Sequence, residues 1–369
     1  MILASISLRN FRLHEKIDIE FSENLNYIVG GNGQGKTTIL ESIYYLCTTK
    51  SFPAKTDNEV VRFDENGFSV RGKFIDKAQN NVLINYGNDS GKNYYLDDKL
   101  LSRSSDIIGK FPVVLLTPAD HSITQGAPGQ RRKFVDSVIS QSSAAYLKNL
   151  LDYNRTLKQR SSLLSIMKER RTEDLMIEFD AWTEKLVDAG TEIIKSRIRF
   201  IEEFGQYITQ SYYRIMDEEE KPSAEYLYLN GCKENDVKEN FYLQLKEAKQ
   251  NELRRATNLV GPHKDDFIFS VNGVNLKTYG SQGQHKTFQA VLRFAEFFYL
   301  KDITSKAPLF LLDDVFGELD GYRANKISDY LKEVGQAFIS LTDFGNFSFL
   351  TRDENDRIIN LSEGKLTYA

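Results

Sequence analysis

Cysteine and long apolar runs are scarce in this 369-residue chain, and each scarcity excludes a class of protein. The two cysteines, Cys47 and Cys232, stand too far apart for a disulfide framework or a cysteine-based metal site, which fits a reducing cytosol. No apolar run approaches the ~20 residues that cross a bilayer. The N-terminus "MILASISLRNF" lacks a basic start and a cleavage site, so we expect no signal peptide.

An overall excess of positive charge is also missing. The chain has 48 lysines and arginines against 52 acidic residues, a net charge of -4 and a pI of about 5.8. The field of the whole molecule therefore does not favour nucleic acid. If nucleic acid is a partner, local basic patches must bind it.

The segment "GGNGQGKTTIL" (30–40) matches the phosphate-loop pattern G-x-x-x-x-G-K-[ST]. An apolar run, "LNYIV" (25–29), precedes it, and a helical pattern, "TTILESIYYL" (37–46), follows it. Permissive residues let the loop's N–H groups point at phosphate oxygens, and the helix dipole adds to anion binding. Lys36 would reach the β- and γ-phosphates, and Thr37 would hold Mg²⁺. The predicted ATP-binding residues here are Gly30, Gly31, Asn32, Gly33, Gln34, Gly35, Lys36, Thr37 and Thr38.

A second part of an ATPase is present in "APLFLLDDVFGELD" (307–320). Leu309 to Leu312 are apolar throughout, as in a central parallel strand. Asp313 and Asp314 follow at its carboxyl end, where open α/β sheets place their sites. Asp313 would act through the Mg²⁺ shell, and Asp314 would orient or polarise the attacking water. We therefore predict Lys36, Asp313 and Asp314 as catalytic, with Thr37 and Asp313 as metal ligands.

A glycine-rich turn, "GSQGQ" (280–284), opens an amphipathic helix just before that strand. Like the phosphate loop, it can offer N–H groups and a hydroxyl to an anion. Because one head already has a phosphate loop, we expect this turn to close over the ATP of another molecule. The long separation of Lys36 from Asp313 also predicts a large insert, with both ends of the chain building one ATPase head.

Taken together, these segments resemble the RecF family, which are bacterial DNA replication and repair ATPases of the SMC and ABC type. The turn at 280–284 is similar to the ABC signature, and "LFLLDDVFGELD" to the Walker B segment and D-loop. Further similar segments extend along nearly the whole chain: "LRNFR" (8–12), "VVLLTPAD" (113–120), "GAPGQRRKFVD" (126–136), "GPHKDDF" (261–267) and "YGSQGQHKT" (279–287).

The resemblance implies an SMC-like head that dimerises around two ATP molecules. Ser281 of one subunit, with Gln282 and Gly283, would contact the γ-phosphate bound by Lys36 of the other. Asp320 would lie at the dimer seam.

Within this resemblance, two residues imply slow hydrolysis. Thr342 stands where related ATPases carry a switch histidine, which a hydroxyl does not fully replace, and it would still face the nucleotide. Asp314 stands where many ABC ATPases have glutamate, and its reach is shorter.

The pattern predicts an α/β fold: an ABC-type P-loop ATPase head with a parallel core sheet and flanking antiparallel β-sheet, plus an all-helical second lobe. Alternating runs between residues 59 and 97, with a hairpin loop at "GNDSG" (87–91), give the antiparallel sheet. Helical stripes at 146–167 and 179–208 form a short antiparallel arm with its tip at 168–174. We assign residues 1–130 and 256–369 to the head and 131–255 to the helical insert.

Basic residues cluster at several places, and the group Arg131, Arg132 and Lys133 is our first choice for DNA binding. In a clamp of two heads, such residues would line a cleft and contact phosphates without reading bases.

The sequence and the resemblance together predict an ATP-gated DNA clamp of recombinational repair. It would be a weak DNA-dependent ATPase in the cytoplasm, associated with the nucleoid. The resemblance implies duplex and gapped DNA as partners, an ATP-dependent homodimer, and RecR with RecO in loading RecA. One alternative is the nucleotide-binding subunit of a transporter, although a signature would then normally begin Leu-Ser-Gly-Gly. Another is a small-molecule kinase, in which the second turn has no purpose.

Overall fold

The computed structural model describes residues 1–216, 220–231, 236–346, 350, 353–362 and 365–368, with backbone only for residues 318 and 346. Cys232 lies outside the described residues, and Cys47 is a buried free thiol.

The chain divides into two compact units. The first comprises Met1–Asp120, Gln210–Glu218 and Lys286–Ala369, and the second comprises His121–Thr209 and Glu219–His285. The second unit thus takes in residues on both sides of the predicted insert, 131–255, whose boundaries stay a prediction.

A six-stranded sheet, parallel except at one edge, forms the centre of the first unit. Its strands, in spatial order, are β15 (Lys365–Tyr368), β14 (Arg357–Ser362), β3 (Leu25–Val29), β13 (Ala337–Leu341), β12 (Leu309–Asp313) and β8 (Val113–Leu116). Only the pair β14–β15 is antiparallel. Every residue of β12 and β13 is buried, as their unbroken apolar sequences predict. The order places β13 between the strand of the phosphate loop and the acidic strand.

A second, antiparallel sheet in the same unit covers the helix that follows the phosphate loop. Its strands, in spatial order, are β2 (His14–Glu20), β1 (Ile2–Phe11), β4 (Gly67–Ile75), β5 (Gln79–Gly87), β6 (Gly91–Leu96) and β7 (Lys99–Leu100). The strands alternate buried and exposed residues, so one face packs into the core and the other faces outward. The predicted hairpin at 87–91 is present. A bulge between Leu3 and Ser5 shifts the register of β1, so Leu3 and Ile6 are both buried although they are three residues apart.

Helices make up most of the second unit. The helices of the chain are α1 (Lys36–Thr48), α2 (His121–Gln125), α3 (Pro128–Ser142), α4 (Ala144–Glu169), α5 (Glu173–Ile215), α6 (Val237–Arg255), α7 (Leu276–Tyr279), α8 (Gln282–Thr304) and α9 (Gly321–Leu331). Short 3₁₀ turns occupy Asp57–Val60, Ser104–Ile107, Pro118–Asp120, Leu229–Gly231, Phe316–Glu318 and Phe344–Asn346. None of the helices in the described part of the chain combines the length and apolar character of a membrane crossing.

The predicted antiparallel arm is formed by α4 and α5, which meet at residues 170–172. Arg160 of α4 fixes their packing: its Nε donates to Oγ1 of Thr183 at 2.9 Å, and its Nη2 to Oε2 of Glu252 at 2.7 Å. This ion pair with α6 is almost fully buried. Breaking it would leave an unpaired charge inside the unit.

A three-stranded sheet also belongs to the second unit, with β10 (Asp266–Val271) between β11 (Val274–Asn275) and β9 (Pro222–Leu227). The turn between β10 and β11 has positive φ at Asn272 and Gly273, as expected for a tight hairpin. The strands β10 and β11 fall in the part of the chain that we assigned to the head, and β9 falls inside the predicted all-helical insert. The helical lobe therefore carries a small sheet as well.

Candidate functional site

The phosphate loop connects β3 to α1, and its glycines adopt the conformations that the pattern requires. Gly33 and Gly35 have φ of +77° and +93°, and Gly35 caps the N-terminus of α1. A Cβ at Gly30 would lie 2.6 Å from the carbonyl oxygen of Leu361, so the first glycine is required by close packing. The start of a 13-residue helix therefore opens into a narrow backbone cradle.

Lys36 lies in this cradle. Its Nζ donates to the carbonyl oxygens of Gly30 at 2.7 Å and Gly31 at 3.0 Å, and the side chain is buried. Burial lowers the pKa of Lys36, while Asp314 and Asp313 raise it. An ammonium already curled over the loop is placed to bridge to phosphate oxygens with a small movement.

His14 packs against the same loop, although no sequence pattern assigned it a role. A Cβ at Gly35 would lie 2.7 Å from Nε2 of His14. His14 is 5% exposed, and among the described residues its Nε2 finds no hydrogen-bond partner. Burial lowers the pKa of the imidazole. The side chain thus supports the loop and demands glycine at position 35.

Asp313 joins the acidic strand to the phosphate loop. Its Oδ1 accepts hydrogen bonds from Oγ1 of Thr37 and from Oγ of Ser340, both at 2.9 Å. Burial raises the pKa of Asp313, and the hydroxyls of Ser340 and Thr37 oppose that shift. The two residues predicted as metal ligands therefore touch each other, although 276 positions separate them.

Ser340 is a functional candidate that sequence reasoning missed. It lies on β13 directly opposite Asp313, is 1% exposed, and also accepts the backbone N–H of Asp314 at 2.9 Å. The only signal was a single hydroxyl in the apolar strand "AFISL". A polar residue in a fully buried strand needs a partner, and here the partner is the acid pair.

Asp314 and Thr342 lie at the same carboxyl edge of the sheet. Asp314 is exposed with φ of +51°, a conformation uncommon for residues other than glycine, which turns it away from the strand. Thr342 is exposed just after β13, whose last residue pairs with Val29 beside the phosphate loop. Asp320 caps α9 by accepting the backbone N–H of Arg323 at 3.0 Å. These positions agree with the edge that the sequence predicted for the site.

The predicted signature turn forms the start of α8 and belongs to the second unit. Ser281 is exposed, and its Oγ accepts the backbone N–H of Gln284 at 3.2 Å, while Oε1 of Gln284 accepts the N–H of Ser281 at 3.0 Å. Gln282 is exposed and Gly283 half-buried. This reciprocal cap holds the turn and leaves its hydroxyl at the surface.

The donors at the phosphate loop fit a magnesium nucleotide. Thr37 and Asp313 present hard oxygen ligands at one point, beside a loop of backbone N–H groups and an ammonium. In the described residues no group of three or more metal-binding side chains occurs. Mg²⁺ typically takes one or two protein ligands and completes its shell with phosphates and water, so this small donor set suits it.

Comparison with known proteins decides the family. The model of the RecF/RecN/SMC N terminal domain matches residues 2–344. The "DNA replication and repair protein RecF" of Chloroherpeton thalassium is 39% identical over 357 residues, 94% of this chain and 96% of that protein. Its namesake in Streptococcus agalactiae serotype Ia is 34% identical over 369 residues, 100% of this chain and 98% of that protein. This chain belongs to the RecF family.

Solved structures agree with this assignment. The recombination mediator protein "RecF-ATP in RecFOR pathway" superposes with a TM-score of 0.90 at 32% identity, over 100% of this chain and 97% of that one. An Smc head domain from Pyrococcus furiosus, 16% identical over 100% of this chain and 95% of that one, has a TM-score of 0.55, which shows a likeness of fold alone. The predicted SMC-type ABC ATPase fold is thus confirmed.

The three residues predicted to bind DNA differ in availability in this RecF-family chain. Arg131 is 2% exposed, and its Nε and Nη2 donate to Oδ1 and Oδ2 of Asp266 at 2.7 and 2.9 Å. Arg132 is half-buried, and its Nη1 donates to the carbonyl oxygen of Asp265 at 2.6 Å. Only Lys133 has an exposed side chain. Arg131 therefore fixes α3 to β10, a structural task that its place in a basic run did not indicate.

The RecF-like segment at 261–267 also has a structural place. Nδ1 of His263 lies 2.7 Å from the hydroxyl of Tyr153, and burial lowers the pKa of His263 to about 4. Gly261 has φ of +129°, and a Cβ there would lie 2.5 Å from the hydroxyl oxygen of Tyr153 and 2.9 Å from the ring of Phe241. The segment therefore joins α4 to the start of β10 within the second unit.

Proposed function

We propose that this chain is an ATP-dependent DNA-binding clamp of recombinational repair. ATP binding closes a homodimer on duplex DNA near single-strand gaps, and slow hydrolysis reopens it. The observation that carries the ATPase part is the shared oxygen of Asp313, which accepts hydrogen bonds from both Thr37 and Ser340. The remaining parts rest on membership of the RecF family and on relatives named for DNA replication, repair and the RecFOR pathway.

Each residue of the ATP site has a defined task in this proposal. Backbone N–H groups of residues 30–38 cradle the phosphates, Lys36 bridges them, and Thr37 and Asp313 hold Mg²⁺. When bound, Mg²⁺ supplies neutralisation of phosphate charge. Asp314 orients the attacking water, and the N–H···Ser340 contact fixes its backbone.

Slow hydrolysis follows from two side chains. Asp314 is one methylene shorter than glutamate and therefore positions water less closely. Thr342, at the next strand end, offers a hydroxyl that does not take up a proton as imidazole does. We infer a weak, DNA-dependent ATPase in which hydrolysis acts as a switch.

The signature turn completes the site from a second subunit. Ser281, with Gln282 and Gly283, contacts the γ-phosphate held by Lys36 of the partner, and its exposed hydroxyl supports this role. Asp320 lies at the seam. The partners are duplex and gapped DNA, with RecR and RecO in loading RecA, at the nucleoid in the cytoplasm. Among the predicted DNA contacts, the proposal now rests on Lys133.

Light scattering with and without ATP, repeated with duplex, single-stranded and gapped DNA, tests the clamp. The wild type should dimerise with ATP and stay on duplex DNA. Ser281→Arg should bind ATP but remain monomeric, because the larger side chain blocks the turn. Ser143→Arg is the matched control, since Ser143 caps α4 in the same unit and has no proposed ATP contact. A wild type that stays monomeric with ATP would refute the clamp.

Asp314→Asn tests the switch. The amide does not activate water as the carboxylate does, so the closed dimer should persist and DNA release should slow. Release faster than that of the wild type would remove Asp314 from the hydrolytic role.

A further inference from the structure

The outer face of the antiparallel sheet carries a set of cations that the ATP site does not use. This face consists of the outward residues of β2, β1, β4, β5 and β6. Its cations are Arg9, Lys16, Arg71 and Lys73; the first three are exposed and the last is half-buried. Among the described residues, none of these four side chains forms a hydrogen bond or ion pair.

Two of these cations lie directly opposite each other. Arg9 on β1 pairs with Lys16 on β2 in the strand register. Like charges at directly opposed positions destabilise an antiparallel pair. Sequences depart from such local rules mainly at functional sites. A bound polyanion would neutralise both charges, and the relief of their repulsion would add to the free energy of binding.

The four cations form a track across the sheet. The register places Ser69 opposite Arg9, and Arg71 follows Ser69 two residues along the same outward row of β4. Arg71 is thus a diagonal neighbour of Arg9, about 7–8 Å away. Lys73 follows two residues further, about 7 Å along the strand. With Lys16 the track extends for about 20 Å.

Carboxylates lie at two margins of this face. Asp18 and Glu20 lie outward on the edge strand β2; Ser7 and Ser5 separate them from the cations of β4, whereas Asp18 is a diagonal neighbour of Arg9. Asp97 follows β6, and its Oδ1 accepts the backbone N–H of Asn81 at 2.7 Å. The outward positions of β1, β4, β5 and β6 contain no acidic residue. This local balance is opposite to the net charge of -4 for the whole chain.

Most of the other outward side chains suit a sugar-phosphate backbone. Those with hydroxyls, amides or an aromatic ring include Ser5, Ser7, Ser69, Asn81, Asn85, Asn93 and Tyr95, whereas Leu83, opposite Arg71, and Ile75 are apolar. Such groups donate hydrogen bonds to phosphate and sugar oxygens without reading the bases. The outer face of the sheet is also rigid, because the side chains on the opposite face of the same strands are packed in the core.

We propose that this outer sheet face binds the phosphate backbone of duplex DNA, independently of sequence. The inference rests on the proposed clamp function and adds to Lys133 a second DNA contact, in the first unit. Arg9, Lys16, Arg71 and Lys73 each neutralise phosphate charge, and the serines and asparagines add hydrogen bonds. If this face binds a protein partner instead of DNA, the proposal is wrong.

The test measures binding of fluorescent duplex DNA, with ATP present, as a function of salt. Arg71→Ala with Lys73→Ala should weaken binding at least tenfold and reduce the slope of log K against log salt by about 1.8, because each lost phosphate contact removes about 0.9. Lys365→Ala with Lys301→Ala is the matched control, since these exposed cations lie on other elements of the same unit. The control pair should keep the wild-type slope.

Two outcomes separate the inference from the clamp function, and one control shows that the variant is folded. If the wild type binds no DNA with ATP, the proposed function fails. If the wild type binds and the variant keeps its affinity and slope, the outer sheet face is not the DNA contact. ATP-dependent dimerisation of the variant shows that it is folded. Lys16→Ser provides a second test. It should weaken DNA binding but leave the melting temperature equal to or higher than that of the wild type, because it relieves the repulsion between Lys16 and Arg9. A lower melting temperature would show that Lys16 has a structural role instead.

Discussion

Replacing Ser340 by alanine should impair ATP hydrolysis, because this one hydroxyl contacts both acids of the site. The hydroxyl donates to Oδ1 of Asp313 at 2.9 Å and accepts the backbone N–H of Asp314 at 2.9 Å. Alanine removes both contacts and leaves the backbone path of β13 unchanged. The variant therefore tests whether the two acids depend on their neighbouring strand.

The magnitude follows from the lost donor to a carboxylate. A hydrogen bond to a charged group contributes about 1.5–3 kcal/mol. If that energy is lost from the transition state, kcat falls roughly 10- to 150-fold, since each 1.36 kcal/mol is tenfold. The pKa of Asp313 should also rise further in the variant, because the hydrogen bond from the Ser340 hydroxyl favours the charged carboxylate and is the strongest of the contacts that lower this pKa. The acidic limb of the pH–rate profile should therefore move to higher pH.

The assay is steady-state ATP turnover with saturating duplex DNA across pH, with nucleotide affinity measured separately. Ser328→Ala is the control, because it removes another buried serine of the same unit, which lies on α9 and not on β13. We expect the control to keep the wild-type acidic limb. Ser340→Ala with kcat within twofold of wild type and an unmoved limb would refute the reasoning.

Three further changes test the supports of the site and the fold. Gly35→Ala should abolish ATP binding, measured by titration with a fluorescent ATP analogue, because position 35 has φ of +93° and a Cβ there clashes with His14. Adding His14→Ala should restore only part of the ATP affinity, since the backbone strain at position 35 remains. Arg160→Met should lower the free energy of unfolding by about 3–5 kcal/mol in urea, because Glu252 is left buried and unpaired, and adding Glu252→Gln should recover part of it. The His263 pKa is depressed from 6.5 to about 4, so its stabilising effect is full above pH 6.5 and is lost as pH falls towards 4. His263→Gln should flatten that pH dependence by on the order of 3 kcal/mol, and an unchanged curve would contradict the assignment.

The sequence predicted those parts of the fold in which local pattern and tertiary role coincide. The apolar strand before Asp313 and the loop before Lys36 are recognisable because burial and phosphate binding each demand a particular residue type. The strand β9 escaped prediction because "PSAEYL" carries little apolar alternation and is defined by pairing with β10. Its register depends on contacts from residue 222 to residue 271, which no local pattern contains.

The site shows the same limit at the level of single residues. The contact of Thr37 with Asp313 follows from the motifs, but the role of Ser340 depends on which strand lies between β3 and β12. The burial of Arg131 is a similar case. A basic run predicts a charged surface, whereas the ion pair with Asp266 depends on β10 passing beside α3.

The hairpin of β1 and β2 relates the ATP site to the proposed DNA face through one short piece of chain. Its outward side chains supply two of the four cations, and its turn holds the phosphate loop on the other side. Arg12, with φ of +55°, donates Nε and Nη2 to the buried carboxylate of Glu41 on α1 at 2.9 and 2.8 Å. His14 supports Gly35. The bidentate ion pair of Arg12 with Glu41 and the packing of the His14 ring against Gly35 couple the hairpin to the phosphate loop more tightly than a flexible loop would, because the hairpin cannot move without breaking these contacts. A force on the hairpin from bound DNA would therefore reach the first turn of α1, where the phosphates bind.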